Sequence, residues 1–314
     1  MSLVFMFPGQ GSQAVGMMST LLASSDSANQ IFETASRAID IDLKQLALEG
    51  PEERINQTEI TQPLILTASI AVWAEWKASA ELRPDFMCGH SLGEYTALVA
   101  SNAMQLEDAV RLVHLRGQLM QGAVPMGQGA MAALLGLDDD AVVKVCEEAS
   151  SAGVVSAANF NSPGQVVIAG SNDALEQAIV LAKEAGARRA AMLPVSVPCH
   201  CALLEPAGIE LAEAIRKLDM QEPDVPIVQN YTAAVSASLD ELKANLLQHL
   251  HQPVRWSDSI RYLIGHGADT FVECGPGKVL AGLNKRIDRS VRSFSMSDGE
   301  SVFAVVDALT GEQQ

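Results

Sequence analysis

"MCGHSLGEY" (87–95) sets one serine, Ser91, between two glycines in the pattern G-x-S-x-G, directly after an apolar run and directly before a helical pattern. That setting reads as a nucleophile elbow, in which a strand turns sharply into a helix and lifts the serine hydroxyl clear of the turn. Side chains at 89 and 93 would collide with the backbone of so tight a turn, which accounts for both glycines. The pattern by itself is common, so its weight depends on the surrounding chain.

Upstream, "SLVFMF" (2–7) is a continuous apolar run of the kind that forms a buried parallel strand, and "PGQGSQ" ends it. Two helical stretches are expected next. The more hydrophobic is "ITQPLILTASIAVWAEWKA" (60–78), with Pro63 near its first turn, and "PDFMC" (84–88) is the strand that enters the elbow. Downstream, "GEYTALVASNA" and the amphipathic "LEDAVRLVHLRGQLMQGAV" (106–124) are helical.

The rhythm then changes. Strand 130–137, helix 138–152, the paired strands "VVSAANF" and "GQVVIAG" around "NSPG", helix 172–187 and strand 188–197 give β-α-β-β-α-β, the ferredoxin-like order. After it, helix 201–218, strand 225–230, helices near 239–250 and 256–266, strand 269–277, helix 278–287, strand 290–296 and a closing helix resume the alternation. The expected fold is α/β: a large α/β-hydrolase-like domain with a mostly parallel sheet (1–128 and 199–314), carrying an inserted ferredoxin-like subdomain (129–198).

The 314 residues are enough to bury a large core. A formal net charge of −17 repels phosphate backbones and anionic lipid, and aromatics at 4% argue against a stacking platform for nucleic acid. No apolar run reaches the length of a membrane span, and "MSLVFMFPGQ" lacks the basic start of a signal peptide, so a cytoplasmic protein is expected. Five scattered cysteines fit a reducing compartment. "PCHC" (198–201) lacks the second ligand pair of a tetrahedral metal site, and neither a metal nor a redox cofactor is expected.

In an open α/β sheet, ligands bind beyond the carboxyl ends of the strands. "PGQGSQ" (8–13), the elbow (89–93), "PCHC" and "GPGK" (275–278) all fall at such ends in this reading, and one crevice is expected to gather them. A serine needs a base to take its proton. Six histidines compete for that role, and His200, at a proline-marked strand exit, is one candidate among them; His114, inside an amphipathic helix, has the ordinary reading of a structural histidine. Arg116 either reaches water or has its charge compensated within the protein, and the residues alone leave both open.

"FPGQGSQ", "GHSLGEY", "LVHLRGQLM", "NFNSPGQVVIAG", "PVSVPCHCALL" and "ECGPGKVL" occur here in the order found in one family. Over essentially its whole length the chain resembles the malonyl-CoA:acyl-carrier-protein transacylases of bacterial fatty acid synthesis. The resemblance implies Ser91 as the nucleophile that carries the acyl group as an ester, and His200 as general base and later acid. It implies the backbone N–H groups of Gln10 and Leu92 as the oxyanion hole, and Arg116 as a bidentate clamp on the malonyl carboxylate. In the family the histidine is oriented by a main-chain carbonyl near the position of His249, where glutamine is frequent. Cys199 also departs from the pattern, standing where serine is usual.

The implied partners are malonyl-CoA and acyl carrier protein, with a monomer as the default state. Carrier proteins of this pathway are acidic, so a local basic patch is needed, and Lys278, Lys285, Arg286 and the pair Arg188–Arg189 are its candidates. A serine thioesterase or lipase-like esterase is the rival reading. It shares the elbow, but normally orders its triad Ser, Asp or Glu, then His, and has no use for an arginine beside the acyl group. A non-catalytic carrier-binding domain is the third.

Overall fold

A computed structural model describes residues 1–125, 127–193, 195 and 197–311. In chain order its elements are β1 (Leu3–Phe7), α1 (Ser19–Ser24), α2 (Asp26–Ile39), α3 (Leu43–Glu49), α4 (Glu52–Ile55), α5 (Thr58–Ser79), β2 (Phe86–Gly89), α6 (Leu92–Ala100) and α7 (Leu106–Ala123). There follow β3 (Gly129–Leu135), α8 (Asp139–Ala149), β4 (Val155–Ser162), β5 (Gln165–Ser171), α9 (Asn172–Glu184) and β6 (Arg189–Met192). The last are α10 (Glu205–Arg216), β7 (Ile227–Val228), α11 (Leu239–Gln248), α12 (Trp256–Gly265), β8 (Thr270–Cys274), α13 (Val279–Ile287), β9 (Arg292–Met296) and α14 (Gly299–Thr310). No helix among the described residues is long and apolar enough to cross a membrane.

The chain is mixed α/β and forms two compact units. The first comprises Met1–Gly117, Leu218–Val228 and Leu263–Gln314; the second comprises Gln118–Lys217 and Gln229–Tyr262. The first unit holds a five-stranded parallel sheet in the order β7-β2-β1-β8-β9. Every residue of β1 is buried, as expected for a central parallel strand covered on both faces. The register sets Phe7 beside Gly89, so the loops after β1 and β2 leave the sheet side by side. The "GPG" loop after β8 joins them, since a Cβ on Gly275 would come within 2.9 Å of Pro8 Cγ.

The second unit holds a separate antiparallel sheet in the order β4-β5-β3-β6, with α8 and α9 in the succession β-α-β-β-α-β read from the sequence. Ala132, Leu134, Val166 and Ile168 of the sheet pack with Val142, Cys146, Leu175 and Ala178 of the two helices. The segment 129–198 lies wholly inside this unit, which extends beyond it on both sides.

Four expectations need correction. Between β1 and β2 there are five helices rather than two. The apolar spacing runs on where the backbone stops: Asp40 ends α2 in the left-handed region (φ 54°), and Gly50 (φ 75°) ends α3. The expected strand 188–197 is observed as β6, which ends at Met192, so "PCHC" does not leave a strand directly; residues 194 and 196 of that span lie outside the described residues. A proline at 194 has no N–H to give to a ladder. The helix expected over 201–218 is a short 3-10 turn, Ala202–Leu204, followed by α10.

Pro63 lies inside α5 rather than at its start. A proline there cannot donate to the carbonyl four residues back, which frees Glu59 O. His114 Nδ1 takes up that carbonyl at 2.8 Å, giving the histidine of α7 its structural role. The same carbonyl turn meets Gly117, where a Cβ would overlap the main chain of Glu59 and come within 2.7 Å of Thr58 O. The middle of α7 is thereby seated on the start of α5. Gly117→Ala is expected to lower the unfolding free energy by about 1–3 kcal/mol through overpacking, against the roughly 1 kcal/mol that alanine gains at an unconstrained helix position. A urea midpoint that stays level or rises would refute the close seating.

Candidate active site

The elbow is built as its glycines require. A Cβ on Gly89 would overlap the backbone of Gly93, and one on Gly93 would overlap the carbonyl of Phe7. Ser91 takes up φ 50°, ψ −109°, a conformation a side-chain-bearing residue enters only at a cost of about 1–3 kcal/mol. The surrounding turn holds it there: His90 N donates to Phe7 O at 3.0 Å, Gly93 N to His90 O at 2.9 Å and Glu94 N to Ser91 O at 3.0 Å.

Leu92 opens α6, so its N–H belongs to the first helical turn, which has no internal acceptor for it. The loop after β1 comes up against this turn, because a Cβ on Gly9 would stand 2.7 Å from His90 O. That contact carries Gln10 to the elbow. The Gln10 side chain is turned to the start of α5, where Nε2 donates to Thr58 Oγ1 at 3.3 Å. The first unit therefore contains Ser91 and both residues expected to donate main-chain N–H groups.

Arg116 is 1% exposed, although it carries a charge. Its Nη1 donates to Gln62 Oε1 at 2.7 Å and its Nη2 to Ser91 Oγ at 3.1 Å. The guanidinium carbon lies 5.5 Å from the Tyr95 ring centroid, in cation–π range. The solvated alternative for Arg116 is excluded, whereas Arg111 on the same helix pairs with Asp108 at the surface. Burial, opposed by the nearby guanidinium, pushes the Tyr95 phenol up to about 12, so it stays neutral at ordinary pH.

His200 belongs to the second unit, where it is 2% exposed and also left-handed (φ 60°). Its N donates to Leu250 O at 3.2 Å, and its Nδ1 faces two main-chain carbonyls, His249 O at 3.0 Å and Gln252 O at 3.1 Å. Facing two acceptors, Nδ1 must carry the proton, which leaves the lone pair of the neutral ring on Nε2. The His249 ring stands edge-on to that of His200, 5.6 Å away. Cys199 is half-buried, with Sγ 3.5 Å from Val197 O. The Cys201 thiol donates to Pro198 O at 3.2 Å and is pushed up to about 12 by burial, so it is no nucleophile. Among the described residues, no three His, Cys, Asp or Glu side chains are grouped to hold a metal ion.

Gln62, Tyr95 and Gln252 O were not singled out by the sequence. For Gln62 a signal existed: an amide within an otherwise apolar helical run needs a buried partner. A carbonyl acceptor such as Gln252 O has no sequence signature at all.

The acyl transferase domain family matches residues 4–309. The chain is 46% identical over 303 residues to the malonyl CoA-acyl carrier protein transacylase of Escherichia coli strain K12, covering 96% of this chain and 98% of the relative. Among solved structures it is similar to an acyl carrier protein S-malonyltransferase from Vibrio cholerae O1 biovar eltor (TM-score 0.95, 46% identity, 97% of this chain and 100% of the other). It is similar also to a malonyl-transacylase in complex with its type II PKS acyl-carrier protein (TM-score 0.96, 41% identity, 98% and 100%). By sequence and by fold, the chain belongs to the acyl transferase domain family and, within it, to the malonyl CoA-acyl carrier protein transacylases.

Proposed function

We propose that this protein transfers the malonyl group of malonyl-CoA to the phosphopantetheine thiol of acyl carrier protein, through a malonyl ester on Ser91, and so supplies fatty acid chain elongation. The observation that carries the reading is the buried guanidinium of Arg116, 3.1 Å from the Ser91 hydroxyl. A fixed positive charge beside a nucleophile suits an acyl chain that ends in a carboxylate, and the guanidinium fork can hold that carboxylate with two parallel bonds. A hydrolase for neutral acyl chains would surround its nucleophile with apolar side chains.

The chemistry is ping-pong. Ser91 Oγ attacks the thioester carbonyl while His200 Nε2 takes its proton, and the tetrahedral oxyanion accepts hydrogen bonds from the N–H groups of Leu92 and Gln10. The carbon–sulfur bond breaks, His200 returns the proton to the departing CoA thiolate, and the malonyl group remains on Ser91 as an ester. In the second half, the carrier's thiol gives its proton to His200 and attacks the ester, and the proton then passes to the Ser91 oxygen as it leaves. The carbonyls of His249 and Gln252 support this role for His200, because they orient the ring and fix its tautomer without adding a negative charge. Backbone carbonyls take the place of a triad carboxylate.

The finer architecture belongs to the same reading: an α/β-hydrolase-like large domain, an inserted ferredoxin-like subdomain over 129–198, and a cytoplasmic monomer. Lys278, Lys285 and Arg286 are exposed at or within α13, and Arg188 and Arg189 are exposed in the second unit. These are the proposed docking charges for an acidic carrier protein.

Incubation with labelled malonyl-CoA is expected to label Ser91 and then carrier protein, and Ser91→Ala to take up no label; free malonate as the dominant product would refute transfer. Arg116→Ala should reduce kcat/KM for malonyl transfer by about 2–4 kcal/mol, the cost of leaving a charged partner without its counterpart. Acetyl transfer should fall less, and an equal fall for both acyl groups would remove Arg116 from selectivity. Reversing the charges of Lys285 and Arg286 should raise KM for carrier protein and leave KM for malonyl-CoA unchanged, while a parallel rise in both would exclude the docking role.

A further inference from the structure

Glu273 is a buried acid that the transfer chemistry leaves unused. It is the fourth residue of β8, has no exposed surface and enters no ion pair among the described residues. Its register partner in β1 is Met6, two residues before Pro8. A carboxylate placed there, without water or a cation, is costly unless hydrogen bonds replace them.

Those bonds come from the far side of the loop that follows. Val279 N donates to Glu273 Oε1 at 3.1 Å and Ala281 N to Oε2 at 2.9 Å. Both N–H groups belong to the first turn of α13, which has no acceptor for them within the helix. The N-cap residue, Lys278, carries no acceptor on its side chain and makes no capping bond. Glu273 therefore caps α13 from the strand before it, where the positive end of the helix dipole favours a carboxylate. Burial pushes its carboxyl above the ordinary range, and the N–H groups of α13 oppose that rise.

The cap closes residues 274–278 into a ring, because a strand residue grips the helix to which the loop leads. Gly275 N, donating to Met296 O at 2.9 Å, fixes the entry. The closed loop then brackets the loop after β1. A Cβ on Gly275 would come within 2.2 Å of Ser69 Oγ and 2.9 Å of Pro8 Cγ, and one on Gly277 within 3.4 Å of Ser12 Cβ. Pro8 and Ser12 stand two residues to either side of Gln10. Gln10 N donates to no group among the described residues. Its place is set by two neighbours, the elbow that meets Gly9 and the loop that meets Pro8 and Ser12.

We infer that Glu273 is a positioning residue for acyl transfer: by tying the start of α13 to the end of β8, it holds loop 274–278 against Pro8 and Ser12 and so keeps the Gln10 N–H where the oxyanion forms. The inference rests on the reading of Gln10 N as an oxyanion donor to an acyl group on Ser91.

The test is Glu273→Gln in the full chain. The amide keeps the shape, loses the charge and accepts at only one of its two ends. Acylation of Ser91 by malonyl-CoA and by acetyl-CoA is followed in single turnovers, with active serines counted by titration with a labelled fluorophosphonate. The rate per titrated serine is expected to fall about ten- to a hundredfold, up to the loss of one whole oxyanion donor. The factor should be the same for both acyl groups, since both develop the same oxyanion. The half-saturating malonyl-CoA concentration should stay level, since Arg116 is untouched. A side chain serving stability alone would lower the melting temperature and the count of active serines but leave the rate per serine at the wild-type level, and that result would overturn the proposal. So would a loss confined to the malonyl group. If Glu273→Gln does not fold, Gly277→Ala, at an exposed position with φ 88°, presses on Ser12 instead and should slow both acylations alike. Wild-type rates in that variant would equally overturn it. Delivery to carrier protein is a separate half-reaction, so its failure would refute the transfer reading without altering this comparison.

Discussion

A guanidinium with almost no exposure, seated beside a serine hydroxyl, is the feature around which the first unit is arranged. Burying a charge is unfavourable unless hydrogen bonds replace its water, and Arg116 receives an amide oxygen, a hydroxyl oxygen and an aromatic face. These are neutral groups. They hold the charge in place without cancelling it, which is the condition a cation must meet if it is to attract an anionic acyl group. The seating of α7 on α5 serves the same end: a proline removes one helical hydrogen bond, a histidine takes the freed carbonyl, and a glycine lets the two backbones close. Arg116 and Gln62 face each other as a result.

Backbone strain marks both residues assigned to the chemistry. Ser91 and His200 are held at positive φ although neither is glycine. Each such residue costs about 1–3 kcal/mol and persists only where its neighbours over-determine it. Around Ser91 the neighbours are Gly89, Gly93 and the loop after β1; around His200 they are the carbonyls of Leu250, His249 and Gln252. The resulting histidine has its tautomer fixed by main-chain carbonyls, which suffice to place the ring.

Much of the fold was legible because parallel strands buried on both faces leave unbroken apolar runs. "SLVFMF" (2–7), "PDFMC" (84–88) and "DTFVECGPG" (269–277) became β1, β2 and β8 with boundaries shifted by one to three residues. The β-α-β-β-α-β order of the antiparallel unit was legible from the switch between strand and helix patterns, with "NSPG" marking its hairpin. The helices between β1 and β2 were not, because their breaks depend on backbone conformations such as that of Asp40, which a non-glycine residue does not announce. The end of β6 was missed because edge pairing depends on the neighbouring strand.

Residue types and spacing alone determined the elbow, the need for glycine on both sides of Ser91, the α/β alternation, and a strongly negative net charge. These are local properties, set by sterics within a few bonds or by composition summed over the chain. Only the tertiary structure decided that Arg116 is buried rather than solvated, that Gln62 and Tyr95 hold it, that His114 answers Glu59 across two helices, and that Gln252 shares the His200 proton. Each of those depends on groups far apart in the chain and on backbone atoms that every residue possesses, so no pattern of side chains can encode them until the chain has folded.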